Sequence, residues 1–255
     1  MTRPVALVTG ARQGIGRGIA EALGAAGFDI AATDLVDDDE AAAAAREAVT
    51  ATGARFHLWR HDVAHVESHP ALLDHVIDRF GGVDVLVNNA GRGAAVRGDC
   101  LEITPENFDA VMDVNLRGTV FLTQVVARHM LAAGRPHPAA IVTVTSVSAE
   151  LVSHERADYC ISKAGLSMWV KALAVRLADH GIAVFEVRPG IIRTGMTAPV
   201  ADRYDARIAD GLVPARRWGQ PADVAAVVAA LAGGRLGFAT GSVVAVDGAL
   251  SIPRL

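Results

Sequence analysis

The chain has 255 residues, 51% of them apolar and only 5% aromatic, enough for one large α/β domain whose core is built from Ala, Val, Leu and Ile. Its formal net charge of −4, with no block of Lys and Arg, excludes the electrostatic footprint of a nucleic-acid binder and points to a small-molecule partner. The two cysteines, Cys100 and Cys160, form no Cys-x-x-Cys pair. That spacing excludes a cysteine-based zinc site and, with no secretory layout in Met1 to Gly10, leads us to expect a cytoplasmic protein.

Short apolar runs alternate with longer amphipathic segments along the whole chain, the pattern of βαβ units in a parallel sheet. The expected fold is α/β: a Rossmann-type, doubly wound parallel sheet of about seven strands between two helical layers, as a single domain over 1–255. Val5–Val8 is the first predicted strand. It runs into Thr9-Gly10-Ala11-Arg12-Gln13-Gly14-Ile15-Gly16, which opens a helix over Ile15–Ala26. Glycines there let the backbone turn tightly against a pyrophosphate, whose charge the helix N-terminus favours. The spacing differs from Gly-x-Gly-x-x-Gly, so the position after the first strand carries the reading. Gly10, Arg12, Gln13, Gly14, Ile15 and Gly16 are candidate cofactor residues.

Asp34 closes the second strand, Asp29–Thr33, where a carboxylate can bind both ribose hydroxyls of an adenosine and repel a 2′-phosphate. The following Asp37, Asp38 and Asp39 keep that loop acidic, so NAD is expected over NADP, with Arg12 as the counterweight. After a helix over Glu40–Thr50 and a strand over Arg55–Trp59, Asp62 and Val63 are placed to meet the adenine. Asp62 alone reads equally as a turn cap. His57, His61, His65 and His69 recur every four residues but straddle strand, turn and helix start (Val66–Phe80), so no metal site is expected.

The fourth strand, Val83–Val87, leads into Asn88-Asn89-Ala90-Gly91, and Asn107–Ala133 reads as one long helix carrying Asn115. The fifth strand, Ile141–Val144, ends in a run of hydroxyls that includes Ser146 and Ser148. Ser146 can hold a substrate oxygen by hydrogen bonding, whereas Ser148 lines the pocket or satisfies the backbone. In the next helix, Ala157–His180, Tyr159 and Lys163 share a face at i, i+4. A phenol titrating near ~10 must drop by ~3 units to exchange protons near neutrality, and a cation at ~5–6 Å supplies roughly that much. Tyr159 is therefore the expected proton-transfer residue, with Lys163 lowering its pKa. After the strand Ala183–Val187, Pro189-Gly190 is a rigid bend, and 190–220 reads as a loop or helical lid. The helix Ala222–Leu231 and the strand Val243–Val246 complete the pattern. The apolar stretch Val224–Gly234 is about half the length of a membrane span.

Taken together, the glycine turn, Asn88-Asn89-Ala90-Gly91, Asn115, Ser146, Tyr159 with Lys163, and Pro189-Gly190 through Thr194 resemble the short-chain dehydrogenase/reductase family across nearly the whole chain. The resemblance implies an NAD(P)-dependent oxidoreductase acting on CH–OH groups, usually a homotetramer or homodimer. It implies that Tyr159 is the acid/base, that Lys163 binds the nicotinamide ribose, that Ser146 orients substrate and that Asn115 holds a relay water. It further implies that Asn88, Asn89, Ala90 and Gly91 border the adenosine side, and that Pro189, Gly190, Ile192 and Thr194 meet the nicotinamide. The basic residue that usually marks NADP preference is replaced by Gln13.

Within the family, Arg188 through Thr194 and the tail Leu250 to Leu255 are most similar to proteins labelled 3-oxoacyl-acyl-carrier-protein reductase. His180 stands where carrier-protein reductases present a basic docking residue. Glu150, His154, Arg156, Arg193 and Met196 make a polar surround, which suits instead an NAD-dependent sugar-acid or polyol dehydrogenase. A non-catalytic dinucleotide sensor would need the glycine turn but not Ser146, Tyr159 and Lys163.

Overall fold

The computed structural model describes residues 2–134 and 137–254; Met1 and Leu255, the ends of two segments read above, lie outside the described residues. Seven strands form one sheet: β1 (Val5–Thr9), β2 (Asp29–Asp34), β3 (Phe56–Arg60), β4 (Val85–Asn88), β5 (Ala139–Val144), β6 (Ile182–Pro189) and β7 (Val243–Val246). Their order is β3-β2-β1-β4-β5-β6-β7, and every pairing is parallel. The sheet is therefore the expected Rossmann type.

Strand alternation distributes the core. Ala6 and Val8 of β1 face α1 (Gly14–Ala25), α2 (Glu40–Thr50) and α8 (Pro221–Ala232), whereas Val5 and Leu7 face α3 (His69–Phe80), α5 (Thr119–Ala133) and α6 (Ala157–Leu177). Both faces are thus covered, and the inner strands read as continuous apolar runs. Strand order reverses between β2-β1 and β4-β5, so a crevice opens at the carboxyl ends of β1 and β4. Ser146, Asp34 and the glycine turn all lie along that edge.

The structure shifts two predicted elements. The fourth strand begins at Val85 rather than Val83, because the Asp84 carboxylate turns inward and accepts a hydrogen bond from Val5 N at 2.7 Å. The expected single helix Asn107–Ala133 is instead α4 (Pro105–Met112), a π-turn over Asp113–Gly118, and α5. At Gly118 this segment presses so closely on the β3–α3 loop that a Cβ would stand 2.1 Å from the Val63 carbonyl oxygen. The wider turn, of a kind frequent at functional sites, carries Asn115.

Residues 190–220 hold α7 (Ala201–Ala209), which packs Ile208 against Val213 and Trp218 over the outer end of β6. Among the described residues no helix is long and apolar enough to cross a membrane. Phe185, fully buried in the middle of β6, offers a test of the packing. Phe185→Ala should cost about 3–5 kcal/mol and lower the melting temperature on the order of 10 °C, as followed by circular dichroism.

Candidate active site

At the adenosine end, the turn after β1 is locked from β4. Asn89 donates from Nδ2 to the Thr9 and Gly10 carbonyls at 2.9 and 3.1 Å, and the Asn89 and Ala90 amides donate to Thr9 Oγ1. The Asn89 side chain is thereby committed to shaping the turn. Gly10 and Gly14 adopt φ of +65° and +58°, and a Cβ on Gly16 would stand 1.9 Å from the Gly10 carbonyl oxygen. Helix α1 then starts without a side-chain cap at Gln13. Its first N–H groups receive no side-chain cap from Gln13, an arrangement that fits a pyrophosphate.

The neighbouring candidates separate. Asp34 accepts from the Arg12 amide at 3.1 Å and the Leu35 amide at 2.9 Å. Asp62 is exposed and caps its own turn through Ala64 N at 2.9 Å. Val63 beside it is buried. Asn88 departs from the adenosine role: its side chain points into the interior and donates to Thr123 and Thr143 hydroxyls at 2.9 and 3.3 Å. Strand alternation turns it away from the edge that Asn89 occupies.

At the nicotinamide end, Thr194 packs against Gly14, whose Cβ would meet its methyl at 3.6 Å, and Ile192 bridges to Gly219. Gly190 admits close approach of Asp247, 2.7 Å from where its Cβ would be. Pro189 closes β6. Gly91 sits beside both Asn115 Oδ1 and Lys163 Nζ, 3.3 and 3.5 Å from its virtual Cβ.

Tyr159, Lys163, Ser146 and Asn115 converge below this crevice. Tyr159 and Lys163 lie in the first two turns of α6, and Lys163 Nζ is 5.7 Å from the Tyr159 ring centre while donating to the Val144 carbonyl at 3.3 Å. Burial lowers the Lys163 pKa to about 8, opposed by the Glu186 carboxylate. Tyr159 is subject to opposing influences. Although half-open to solvent, its phenol is pushed up by desolvation, against the opposing influences of a Ser146 hydrogen bond and the Arg156 charge. Lys163 thus lies over the Tyr159 ring while anchored to the end of β5 through the Val144 carbonyl. Arg156, 5.4 Å from the ring centre, is a second cation beside the phenol.

Asn115 is fully buried and its amide is already used. Oδ1 accepts from Arg92 N at 2.8 Å, and Nδ2 donates to the Arg92 carbonyl and to Ser162 Oγ. Both of its donors are therefore taken by protein, and the side chain fixes the Gly91–Arg92 bend beside Lys163. Ser146 Oγ accepts from Ser148 N at 3.0 Å, which orients the hydroxyl; Ser148 is itself buried.

The expected substrate surround is only partly assembled. Glu150 is paired with Arg188, and Arg193 is held by Asp205 at 3.0 Å and the Trp218 ring at 4.6 Å, so neither is free for a ligand. Met196 is exposed. His154 lines an open cleft of about 470 Å³ with Arg97, Asp99, Glu155 and Arg203. Sequence reasoning missed Glu186 and Arg188. Glu186 is completely buried on β6, accepting from Thr145 Oγ1, Ser167 Oγ and Arg188 Nε at 2.7, 2.8 and 2.6 Å. The signal was present: two charges at i, i+2 interrupt an otherwise apolar strand, which puts both on one face.

Residues 10–251 match the family model described as Enoyl-(Acyl carrier protein) reductase. The chain is a short-chain dehydrogenase/reductase. It is 57% identical to a 3-oxoacyl-[acyl-carrier protein] reductase from Brucella melitensis whose crystal structure is in complex with NAD, with a TM-score of 0.96 over 100% of both chains. It is also 34% identical to 2-dehydro-3-deoxy-D-gluconate 5-dehydrogenase of Escherichia coli, over 96% of this chain and 94% of that one. Identity to 3beta-hydroxysteroid dehydrogenase 1 of Eggerthella lenta is 36%, over 96% and 93%. Family membership makes it an NAD(P)-dependent oxidoreductase. Relatives of similar identity carry names with different substrates.

The four regularly spaced histidines disperse: His57 stacks on Trp59, His65 is exposed, and only His61 and His69 meet, 5.3 Å apart. Among the described residues no group of three or more His, Cys, Asp or Glu is placed to hold a metal. His61 is buried with Nε2 unpartnered, and desolvation lowers its pKa to about 4. As pH falls from near 6.5 toward 4, the unfolded chain takes up a proton that the folded chain refuses, so stability falls. His61→Gln should escape about 2–3 kcal/mol of that acid loss, read as the difference between urea midpoints at neutral and acid pH.

Proposed function

We propose that the protein transfers hydride between NAD(H) and a 3-oxoacyl thioester, yielding the 3-hydroxyacyl thioester. The observation that carries this reading is the state of Tyr159. A phenol titrating near its usual ~10 already carries its proton at neutral pH, desolvation acts in the same direction, and the Ser146 hydroxyl stands beside it, as an acid delivering a proton to a carbonyl oxygen requires. The NAD complex of the 57% identical Brucella protein supports both substrate class and cofactor. The acidic end of β2 favours NAD over NADP on physical grounds, because a carboxylate there repels a 2′-phosphate.

When bound, the nicotinamide supplies or accepts the hydride. Gly10, Gly14, Ile15 and Gly16 would cradle its pyrophosphate and Asp34 its adenosine ribose, with Asp62 and Val63 along the adenine and Ala90, Gly91, Ile192 and Thr194 along the nicotinamide half. Ser146 holds the substrate oxygen by hydrogen bonding, and Tyr159 gives that oxygen its proton, or takes it back in the reverse direction. Lys163 would meet the nicotinamide ribose, and Asn115 keeps the bend beside it fixed. Tyr159→Phe should lower turnover about 10³-fold while leaving the NADH dissociation constant, measured by fluorescence, nearly unchanged; unaltered turnover would remove the assignment.

A second reading, an NAD-dependent sugar-acid or polyol dehydrogenase, is favoured by Arg156. Its guanidinium stands over the Tyr159 ring with no carboxylate paired to it among the described residues, where it could receive a substrate carboxylate. A panel of acetoacetyl thioesters, sugar acids and polyols, followed by NADH absorbance, separates the two. Arg156→Ala should shift the alkaline limb of the reductive pH profile to higher pH, because one influence lowering the phenol is lost. Its KM for a neutral thioester should stay constant, whereas the sugar-acid reading requires KM for an acidic substrate to rise.

We further place the enzyme in the cytoplasm as a homodimer or homotetramer, a reading supported by its two unpaired cysteines and by exposed Ile161, Met168 and Val175 on α6 and Phe238 beside β7. Carrier protein is the less favoured bearer of the thioester. His180, at its expected docking position, bonds to Arg176 at 2.9 Å.

A further inference from the structure

The glycine turn and the end of β2 enclose a group of charges that the proposed reaction does not account for. Arg12 is mostly buried. Its Nε lies 3.5 Å from Asp34 Oδ1, and its Nη1 forms a close ion pair with Asp39 Oδ2. Asp39 also serves as the N-cap of α2, its Oδ1 accepting from Ala42 N at 2.9 Å. Asp34 is held from the other side by the amides of Arg12 and Leu35. One guanidinium is thus shared between two carboxylates, and the local balance is negative.

A guanidinium beside the adenosine ribose is the side chain best suited to a 2′-phosphate, because its planar fork matches the phosphate oxygens. Arg12 stands in that place, one residue before Gln13 in the turn. We propose that Asp39 is a second determinant of cofactor choice, acting by engaging the Arg12 guanidinium that would otherwise pair with a 2′-phosphate. Asp34 repels that phosphate directly, while Asp39 occupies the cation that would otherwise compensate. The inference rests on the NAD reading above and adds a residue to it. Asp39 touches no atom of the adenosine in this scheme; it is a positioning residue for Arg12.

Asn and Ser are as good as Asp at a helix N-cap, so Asp39→Asn and Asp39→Ser remove the charge while keeping α2 closed. Calorimetric titration with adenosine 2′,5′-bisphosphate and with 5′-AMP reads the effect without turnover. Both variants should bind the bisphosphate roughly tenfold more tightly than wild type relative to 5′-AMP. In an Arg12→Gln background the same substitutions should bring no such gain. An unchanged ratio in both variants, or a gain that persists without Arg12, overturns the proposal. Titration of the wild-type protein with NADH and NADPH keeps the two readings apart. Tighter binding of NADPH overturns the NAD reading itself, whereas NADH preference with an unchanged ratio in the variants overturns only the role of Asp39.

Discussion

The carboxylate of Glu186 has no access to solvent, and a charge so placed persists only where donors surround it. Thr145 supplies one from the end of β5, Ser167 one from α6, and Arg188 two from the next inward position of β6. The end of β5, α6 and β6 are thereby tied at one point, and the first two carry the proposed reacting groups. Arg188 extends the tie to Glu150, two residues beyond Ser148, so the segment following Ser146 is anchored as well. Removing Arg188 would leave the Glu186 charge buried without its ionic partner, which makes the pair a constraint on geometry more than a source of stability. The same carboxylate favours the charged form of Lys163.

The two ends of the crevice are built on different principles. The adenosine end is steric: two strands meet through Asn89 and Thr9, and glycine contacts leave no room for side chains. The reacting end is electrostatic, with a phenol whose burial is opposed by a hydroxyl and a guanidinium. A sheet edge can host both because β1 and β4 define the turn, whereas β5 and α6 bring the phenol.

Most of this was legible in the sequence where periodicity and spacing act locally. Short apolar runs between amphipathic segments marked all seven strands, with β7 and α2 placed to the residue, because their turns carry strong breakers. Tyr159 and Lys163 were readable from one helical turn of spacing together with the hydroxyls before them. What escaped depended on partners distant in sequence. The break at Asp113–Gly118 follows from contact with Val63, and the inward turn of Asn88 from which face of β4 it occupies. The upward push on the phenol comes from desolvation, which no spacing reveals, and Lys163 donates to a carbonyl on β5. The commitment of Glu150 and Arg193 to internal partners likewise arises only when loops far apart in the chain come together.

The glycine contacts have a further consequence for how such a chain can change. A single methyl at Gly16 or Gly118 would collide with a backbone carbonyl, which cannot move without dragging its strand or loop. Those positions admit no stepwise drift. The surface around Met196 and His154 is different: both are exposed, and α7 rests on a small cluster of its own. Replacements there meet solvent rather than main chain. One half of the molecule is thus frozen by its own closeness while the other is free to be rewritten, so new substrates can be acquired without disturbing the part that receives the dinucleotide.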